Sequence, residues 1–401
     1  MPKKTSKTRS EARDRGQLVP KGDRKWLLRV FQGRVPDGKG GMKRKYASKV
    51  FEGTKTEAEK ALTSFLSEID GDEYVEPTKV TVSSFWPTFM ATVVDVASNT
   101  RNDHDIRFRL DIMPALGHLK LTELDHEVLQ AFFNELSFGD RKLSPRTVRM
   151  TFTALRKMLI LARTKRLIGR NPLDGVKLPK YLRKEMKVLT PEQMGAFLRA
   201  SSSWRNQKYP NHPGSRYHAL WCLLLTTGLR PCEALALKWS DIRDGTVTVR
   251  RSVVLRRDNS EFEIKPAGSN KIKPRRIDLM DSTVTALLRH EVRQKEEMLQ
   301  AGSAYERNDW VFANATGGLL YLGNVRMAWK KDLKRAKLPV VRLYDSRHSH
   351  LTMALAAGEN PKVVAERGGH SVEMLMSTYA AVLPGMQRDM AKRLDTVLKL
   401  A

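Results

Sequence analysis

The sequence predicts a multidomain, mainly α-helical chain with a small N-terminal β-sheet and a mixed α+β region in its C-terminal half. Its 401 residues are more than one hydrophobic core usually contains. Apolar residues recur at helical spacing through most of the chain, and strand patterns occur in two places, at 25–53 and 246–279. Segments rich in proline, glycine and charge, at 71–81 and 169–187, indicate domain ends.

The N-terminal part predicts a small domain that follows a flexible segment. Residues 1–24 are polar and basic, and we expect them to lack a fixed structure on their own. Residues 25–77 show two strand patterns joined by a "PDGKGG" turn, and an amphipathic helix follows. Thr56, with Glu59 three residues later, predicts a capping box at the start of that helix.

The rest of the chain predicts two further domains. Residues 82–178 contain only helical patterns, the clearest of which has Ser144 as its N-cap and a proline at its first position. Residues 187–395 form the third domain. It opens with a helix whose capping box is formed by Thr190 and Gln193, and its helices are interrupted by the second strand-rich region.

The charge of the chain predicts a polyanionic partner. Lysine and arginine number 72 against 44 acidic residues, which gives a net charge of +28, and the usual partner of such an excess is nucleic acid. A solvated basic surface is the plainer alternative. Cys222 and Cys232 lie in apolar stretches, which suits buried, reduced thiols. No long apolar run or signal peptide is apparent, so we expect a cytoplasmic protein without a membrane partner.

The stretch "LLLTTGLRPCEALALKW" is the first candidate for a functional site. An apolar helix stops at Gly228, and Pro231 starts the next helix, so Arg230 lies at a helix N-terminus that favours an anion. Glu233 follows one turn later and can hold Arg230 in place. A purely structural Arg230–Glu233 pair is an equal alternative on this motif alone.

The stretch "RLYDSRHSHLTMALAAG" is the second candidate. Asp345 or Ser346 is expected to cap a helix on whose apolar face Arg347 lies. A buried arginine needs a partner, which is either a phosphate or a nearby carboxylate. His348 and His350 point to different faces of the helix, so we do not expect a metal site.

The stretch "GGHSVEMLMSTYAAV" is the third candidate. Ser371 caps a short helix in which Tyr379 belongs to an apolar stripe, and the stripe alone favours a packed core tyrosine. The combination with His370 and the two arginines changes this interpretation. Together these residues supply charge clamps, proton donors and an oxygen nucleophile, which are the parts of phosphoryl transfer without a metal.

At these three stretches the sequence resembles the phage-integrase-type tyrosine recombinases, and the stretches occur in the family's order. The resemblance implies that Arg230 and Arg347 are the two catalytic arginines and that Tyr379 is the nucleophile. It places His370 at the family's His/Trp position. It also implies supporting roles for two neighbours, Glu233 and His348.

The resemblance is incomplete at one position, Tyr344, and ambiguous at another, the catalytic lysine. Tyr344 stands where the family usually has histidine, and a phenol can donate a hydrogen bond but cannot readily act as a base near neutral pH. The family's catalytic lysine lies on a hairpin that resembles "EFEIKPAGSNKIKPRRIDLM". We choose Lys271 for that role, and Lys273 and Lys265 remain open.

The resemblance also implies an organisation and a reaction. Residues 25–77 would be an arm-type DNA-binding domain, 82–178 a core-binding domain and 187–395 the catalytic domain. The reaction would cut and rejoin DNA attachment sites through a 3′-phosphotyrosyl bond, without a metal or other cofactor, and integrate or excise a mobile element. The expected partners are double-stranded DNA, a homotetramer on two DNA sites, and accessory bending or directionality proteins. The alternatives are a DNA-binding protein that has lost cleavage and a type IB topoisomerase-like enzyme.

Overall fold

The computed structural model describes most of the chain, and it divides into two compact units, Met1–Leu182 and Arg183–Ala401. The described residues are 16–36, 38, 41–71, 75, 78–94, 98–182, 186–204, 214–255, 262–266, 274–379, 390, 391, 394, 395 and 398. Each unit is described by itself. The multidomain, mainly α-helical fold class predicted from the sequence is confirmed.

An antiparallel sheet of three strands opens the first unit. The strands lie in the order β1–β2–β3, and helix α1 packs on them; their bounds are β1 Gly16–Gly22, β2 Lys25–Pro36, β3 Met42–Glu52 and α1 Lys55–Asp70. Leu28, Val30, Ala47, Ala58 and Phe65 form the core between sheet and helix. The expectation that all of residues 1–24 lack structure is wrong for β1, because Leu18 pairs with Leu28 and the strand completes the second edge of β2.

Helix α1 also starts earlier than the sequence predicts. Thr54 is the N-cap, and its capping box is completed by Glu57, whose carboxylate accepts from the Thr54 amide at 2.7 Å. The predicted box at Thr56 and Glu59 is therefore wrong by two residues. Both pairs fit the same motif, and the earlier one is used because β3 ends only two residues before it, at Glu52.

Five helices of the described residues complete the first unit and surround a second apolar core. Their bounds are α2 Val82–Thr92, α3 Ser98–Arg107, α4 Met113–Leu116, α5 His126–Phe138 and α6 Pro145–Thr164. Ser144 caps α6 by accepting from the Thr147 amide, as predicted. A π-helical turn, Phe108–Ile112, joins α3 to α4.

That turn places Asp111 in the interior of the helical core. Its fully buried carboxylate lies 3.0 Å from Arg107 Nη1 and 2.9 Å from Arg141 Nη1, and it accepts from Thr151 Oγ1 at 2.7 Å. The two arginines reach the solvent, with side chains 16% and 46% exposed. We call Asp111, Arg107, Arg141 and Thr151 the Asp111 cluster.

In its described ranges, the second unit combines helices with two small sheets. The helices are α7 Pro191–Ser203, α8 His218–Thr227, α9 Pro231–Ala234, α10 Asp281–Ala301, α11 Leu322–Arg335, α12 Asp345–Ala356, α13 Pro361–Gly368 and α14 Val372–Tyr379. The strands are β4 Ile242–Arg243, β5 Thr246–Val249, β6 Arg251–Leu255, β7 Phe262–Pro266 and β8 Arg275–Asp278, paired as β4–β5–β8 and β6–β7. The strand-rich region at 246–279 is thus confirmed. Trp221 and Trp329 meet edge to face in the core of this unit.

Helix termini in this unit mostly follow the predicted chemistry. Thr190 and Gln193 form the capping box of α7, and Gly228 ends α8 in the left-handed conformation at φ 66°. The prediction that Asp345 or Ser346 caps α12 is wrong, because no side chain caps this helix. The Asp345 carboxylate instead turns back to the preceding loop and accepts from the Arg342 amide and guanidinium.

Candidate active site

Arg347 lies at the centre of the candidate site and is fully buried on α12. Its Nη1 donates to the Gly228 carbonyl at 2.7 Å, and its Nη2 donates to the Gly368 carbonyl and to His370 Nε2. Both carbonyls belong to helix ends, since α8 stops at Gly228 and α13 stops before Gly369, each with a left-handed glycine. The negative ends of two helix dipoles therefore stabilise the guanidinium. Its Nε has no hydrogen-bond partner among the described residues.

A single carboxylate holds two further arginines in the same site. Glu233 Oε1 accepts from Arg230 Nη1 at 2.9 Å, while Glu233 Oε2 accepts from Arg275 Nη2 at 2.7 Å. Arg230 Nη2 also donates to the carbonyl of Gly369, at 3.3 Å. The sequence predicted the Arg230–Glu233 contact but missed Arg275. Arg275 could have been found from the alternation of buried and exposed residues along β8, which puts Arg275 on the buried face with Ile277.

The charges in this site do not balance. Among the described residues, three guanidiniums and one carboxylate give a net charge of about +2 in a mostly buried space. Burial and the charge of Arg230 lower the pKa of Arg347 to about 10. Burial raises the pKa of Glu233, but its hydrogen bonds and charge contacts with Arg275 and Arg230 outweigh this, and the pKa is lowered overall. The site is therefore built to accept an anion.

His370 follows the left-handed Gly369 and closes one side of this site. Its Nε2 accepts from Arg347 Nη2 at 2.5 Å. Burial lowers the pKa of His370 to about 3, and the charges of Arg347 and Arg230 add to the effect. The imidazole is therefore neutral near pH 7. The next residue, Ser371, caps α14 by accepting from the Met374 amide, as predicted.

Tyr379 is at once a core residue and part of the site. Its ring is 1% exposed and belongs to a small apolar core, whose other buried members are Leu351, Leu355, Val364, Ala365 and Leu375. Its hydroxyl is hydrogen-bonded to His348 Nδ1 at 2.6 Å, so α14 is tied to α12 beside Arg347. The two interpretations of Tyr379 left open by the sequence are thus compatible.

Tyr344 lies just before α12 and is 41% exposed. Its ring meets that of His348 edge to face, with 5.3 Å between ring centres. Burial lowers the pKa of Arg230, but contacts with Glu233 and with the Tyr344 hydroxyl outweigh this, and the pKa is raised overall. Tyr344 therefore joins the arginine site to His348.

The remaining candidates are His350 and the three lysines of the hairpin. His350 donates from Nδ1 to the Leu225 carbonyl at 3.0 Å. Within the described ranges, no three His, Cys, Asp or Glu side chains group closely enough to hold a metal ion. Lys271 and Lys273 lie outside the described residues. Lys265 is on β7, where its Nζ is 3.4 Å from Glu263 Oε1.

Comparisons with known proteins place this geometry in a family. Residues 187–385 match the model of the phage integrase family. The chain is 25% identical over 399 residues to a XerC-like tyrosine recombinase of Caldanaerobacter subterraneus subsp. tengcongensis, covering 94% of this chain and 97% of the relative. It is 28% identical over 259 residues to the ICEBs1 integrase of Bacillus subtilis, covering 64% of this chain and 67% of that protein.

Solved structures share the fold at low sequence identity. The Tn1549 transposon integrase, solved in complex with a circular intermediate DNA, matches with a TM-score of 0.63 at 18% identity, over 79% of this chain and all of that chain. A lambda integrase tetramer bound to a Holliday junction matches with a TM-score of 0.52 at 15% identity, over 89% of this chain and 94% of that chain. No helix in the described part of this chain is long and apolar enough to cross a membrane. Together, the match at residues 187–385 and the near full-length relative show that the chain belongs to the phage integrase family and is a tyrosine recombinase.

Proposed function

We propose that this recombinase cuts and rejoins DNA at specific sites through a 3′-phosphotyrosyl bond to Tyr379. The observation that carries the proposal is the buried net charge of the site, where Arg230 and Arg275 share Glu233 and Arg347 contacts no carboxylate among the described residues. A phosphodiester supplies the missing negative charge, and guanidinium forks match its non-bridging oxygens. The relatives named as integrases support the same reaction.

Each side chain of the site then has a role in the proposal. Arg230 and Arg347 clamp the phosphate, and Glu233 holds Arg230 in position. His370 and Tyr344 donate hydrogen bonds as charge develops in the transition state. Tyr379 attacks phosphorus, and the ester stores the bond energy, so that rejoining needs neither ATP nor a metal. Lys271 as the acid for the leaving 5′-oxygen stays a prediction, with Lys273 and Lys265 still open.

The proposed substrate is duplex DNA, held mainly through its phosphates by a chain of net charge +28. We extend the proposal to a homotetramer on two DNA sites, which the lambda integrase tetramer on a Holliday junction supports. The arm-binding role of residues 25–77, the core-binding role of 82–178 and the catalytic role of 187–395 belong to the same proposal. Accessory bending or directionality proteins stay a prediction from the family.

A covalent-adduct assay tests the proposed nucleophile. A preferred core site is first selected from a randomised duplex pool with the full-length protein, and a nicked suicide duplex is built on it. Tyr379→Phe removes one oxygen and leaves the apolar packing of the ring, so we expect unchanged DNA binding and no adduct on a denaturing gel. Tyr344→Phe serves as the matched control and loses only one hydrogen bond, with an expected slowing of roughly ten- to a thousandfold.

Two results would contradict the assignment. An adduct that persists in Tyr379→Phe, or that disappears only in Tyr344→Phe, places the nucleophile elsewhere. A supercoil-relaxation assay beside a recombination assay separates the alternatives. A protein without cleavage shows neither activity, and a topoisomerase-like enzyme relaxes supercoils without exchanging strands.

A further inference from the structure

The Tyr379 hydroxyl is hydrogen-bonded to an imidazole, which is a group that can take its proton. The oxygen lies 2.6 Å from Nδ1 of His348, and the two ring centres are 5.6 Å apart. Both tautomers of His348 satisfy this contact, and in the tautomer that carries its proton on Nε2 the hydroxyl donates to the unprotonated Nδ1. A tyrosine becomes a strong nucleophile only as it loses this proton.

We propose that His348 is the general base that takes the proton from Tyr379 during strand cleavage. This inference rests on the proposed function, because it requires Tyr379 to be the nucleophile. It gives His348 a chemical role in place of the unspecified supporting role that the sequence suggested.

The position of His348 on α12 supports this role. Tyr344 and His348 are four residues apart and lie on the same side of the chain, with their rings in edge-to-face contact. Tyr344 also contacts Arg230, so the pair of His348 and Tyr379 lies at the edge of the arginine site. A phenol with an ordinary pKa of about 10 is a poor base near neutral pH, whereas an imidazole with an ordinary pKa of about 6.5 is a good one.

The proposed step conserves atoms and charge. As the tyrosine oxygen bonds to phosphorus, its proton moves to Nδ1 of His348, and the bond from phosphorus to the 5′-oxygen breaks. The leaving oxygen takes a proton from the general acid of the site. Rejoining reverses each transfer, and His348 returns its proton to Tyr379. The imidazolium forms beside a phosphate whose negative charge is growing, which favours the transfer.

Several ionisable groups surround His348 and will affect its titration. Tyr379 faces it from α14, and His370 is close enough for the two imidazoles to influence each other's charge. Tyr344 and Arg347 flank it on α12 and at its start, and Arg230 lies beyond Tyr344. DNA adds a phosphate to this group, so the relevant titration is that of the complex.

The test measures adduct formation in single turnovers of the full-length protein on the selected suicide duplex, between pH 5 and 9. We expect the wild-type rate to rise with pH through a limb whose midpoint lies between about 5 and 8, where imidazoles titrate. His348→Asn can still accept the hydrogen bond but cannot hold the proton. It should react about 10²- to 10⁴-fold more slowly and lack that limb. Added imidazole should partly restore His348→Ala, whose cavity can admit it.

The outcomes separate this inference from the proposed function. An adduct in Tyr379→Phe overturns both. No adduct in Tyr379→Phe, together with a wild-type rate and pH limb in His348→Asn, overturns only the role of His348. A faster reaction in His348→Ala also overturns it, because His348 would then restrain Tyr379. His370→Gln is the control for the other imidazole. In that variant the rate of adduct formation should still rise with pH through the same limb, even if the rate itself is lower.

Discussion

The Asp111 cluster and the arginine site around Glu233 are built from the same parts, and only one of them suits a ligand. In each, one buried carboxylate contacts two arginines. Around Asp111 the arginines reach solvent, so water screens the extra positive charge. Around Glu233 the side chain of Arg230 is 20% exposed, but that of Arg275 is only 4% exposed. A third arginine, the fully buried Arg347, is added there and contacts no carboxylate among the described residues.

The difference between the two clusters shows which feature makes the arginine site suitable for a ligand. A carboxylate shared by two arginines is a structural unit that either half of the molecule can use. The added feature is an arginine whose partners are two helix-end carbonyls and a neutral histidine, none of which neutralises its charge. Burial of that excess charge makes the second site a place for an anion.

The largest expected effect is a loss of stability when the shared carboxylate of either cluster is replaced. Glu233→Gln removes the carboxylate that contacts the buried Arg275, and we expect it to lower the free energy of unfolding by about 3–5 kcal/mol. Asp111→Asn should lower it by about 1–3 kcal/mol, because Arg107 and Arg141 can turn to water. Urea unfolding, followed by hydrogen exchange in peptides of α6 and α12, measures both losses. Equal losses would show that solvent access does not distinguish the two clusters.

The second effect concerns activity. Arg347→Lys keeps a positive charge but loses the planar fork, so adduct formation on the suicide duplex should slow about 10²- to 10³-fold, or about 2.7–4 kcal/mol. Arg107→Lys is the matched control in the Asp111 cluster and should leave the rate unchanged. Equal slowing by both substitutions would contradict the prediction, because the rate would then reflect a general loss of structure and not a role of Arg347 in the reaction.

The third and smallest effect is the pH dependence of stability that buried histidines give to the second unit. Burial lowers the pKa of His290 and of His350 to about 4, so each is neutral in the folded second unit. Because the unfolded chain binds protons with a pKa of about 6.5, this stability is complete above that pH and is lost as pH falls towards 4. The loss is up to about 3 kcal/mol per histidine. Unfolding followed by tryptophan fluorescence at pH 7, 5.5 and 4.5 measures it. His290→Gln should reduce the slope, and a slope parallel to that of the wild type would contradict the account.

Local sequence patterns predicted about half of the site. Gly228 as a helix end, the contact between Arg230 and Glu233, and the burial of Arg347 all follow from neighbours within one or two helical turns. Arg275 meets Glu233 across 42 residues, Arg347 meets Gly228 across 119, and His348 meets Tyr379 across 31. These contacts depend on how helices and strands pack, which periodicity does not encode.

The fold was likewise only partly predictable from local sequence patterns. Helical and strand regions were predicted correctly because their apolar periods differ. Strand β1 was missed since its pattern is short and polar, and its pairing with β2 is what stabilises it. The early start of α1 could not be told from the sequence, because two equivalent capping motifs stand two residues apart.

The buried Nε atom of Arg347 has no hydrogen-bond partner in the part of the chain that the structure describes, and this sets the stability of the protein against its activity. An orphaned buried donor costs about 1–3 kcal/mol, and the empty enzyme bears that cost for as long as no phosphate accepts the hydrogen bond. Selection for folding alone therefore acts against the residue that the reaction needs. In a library of variants screened only for heat resistance, replacements at Arg347 should accumulate among the survivors, and those survivors should be inactive.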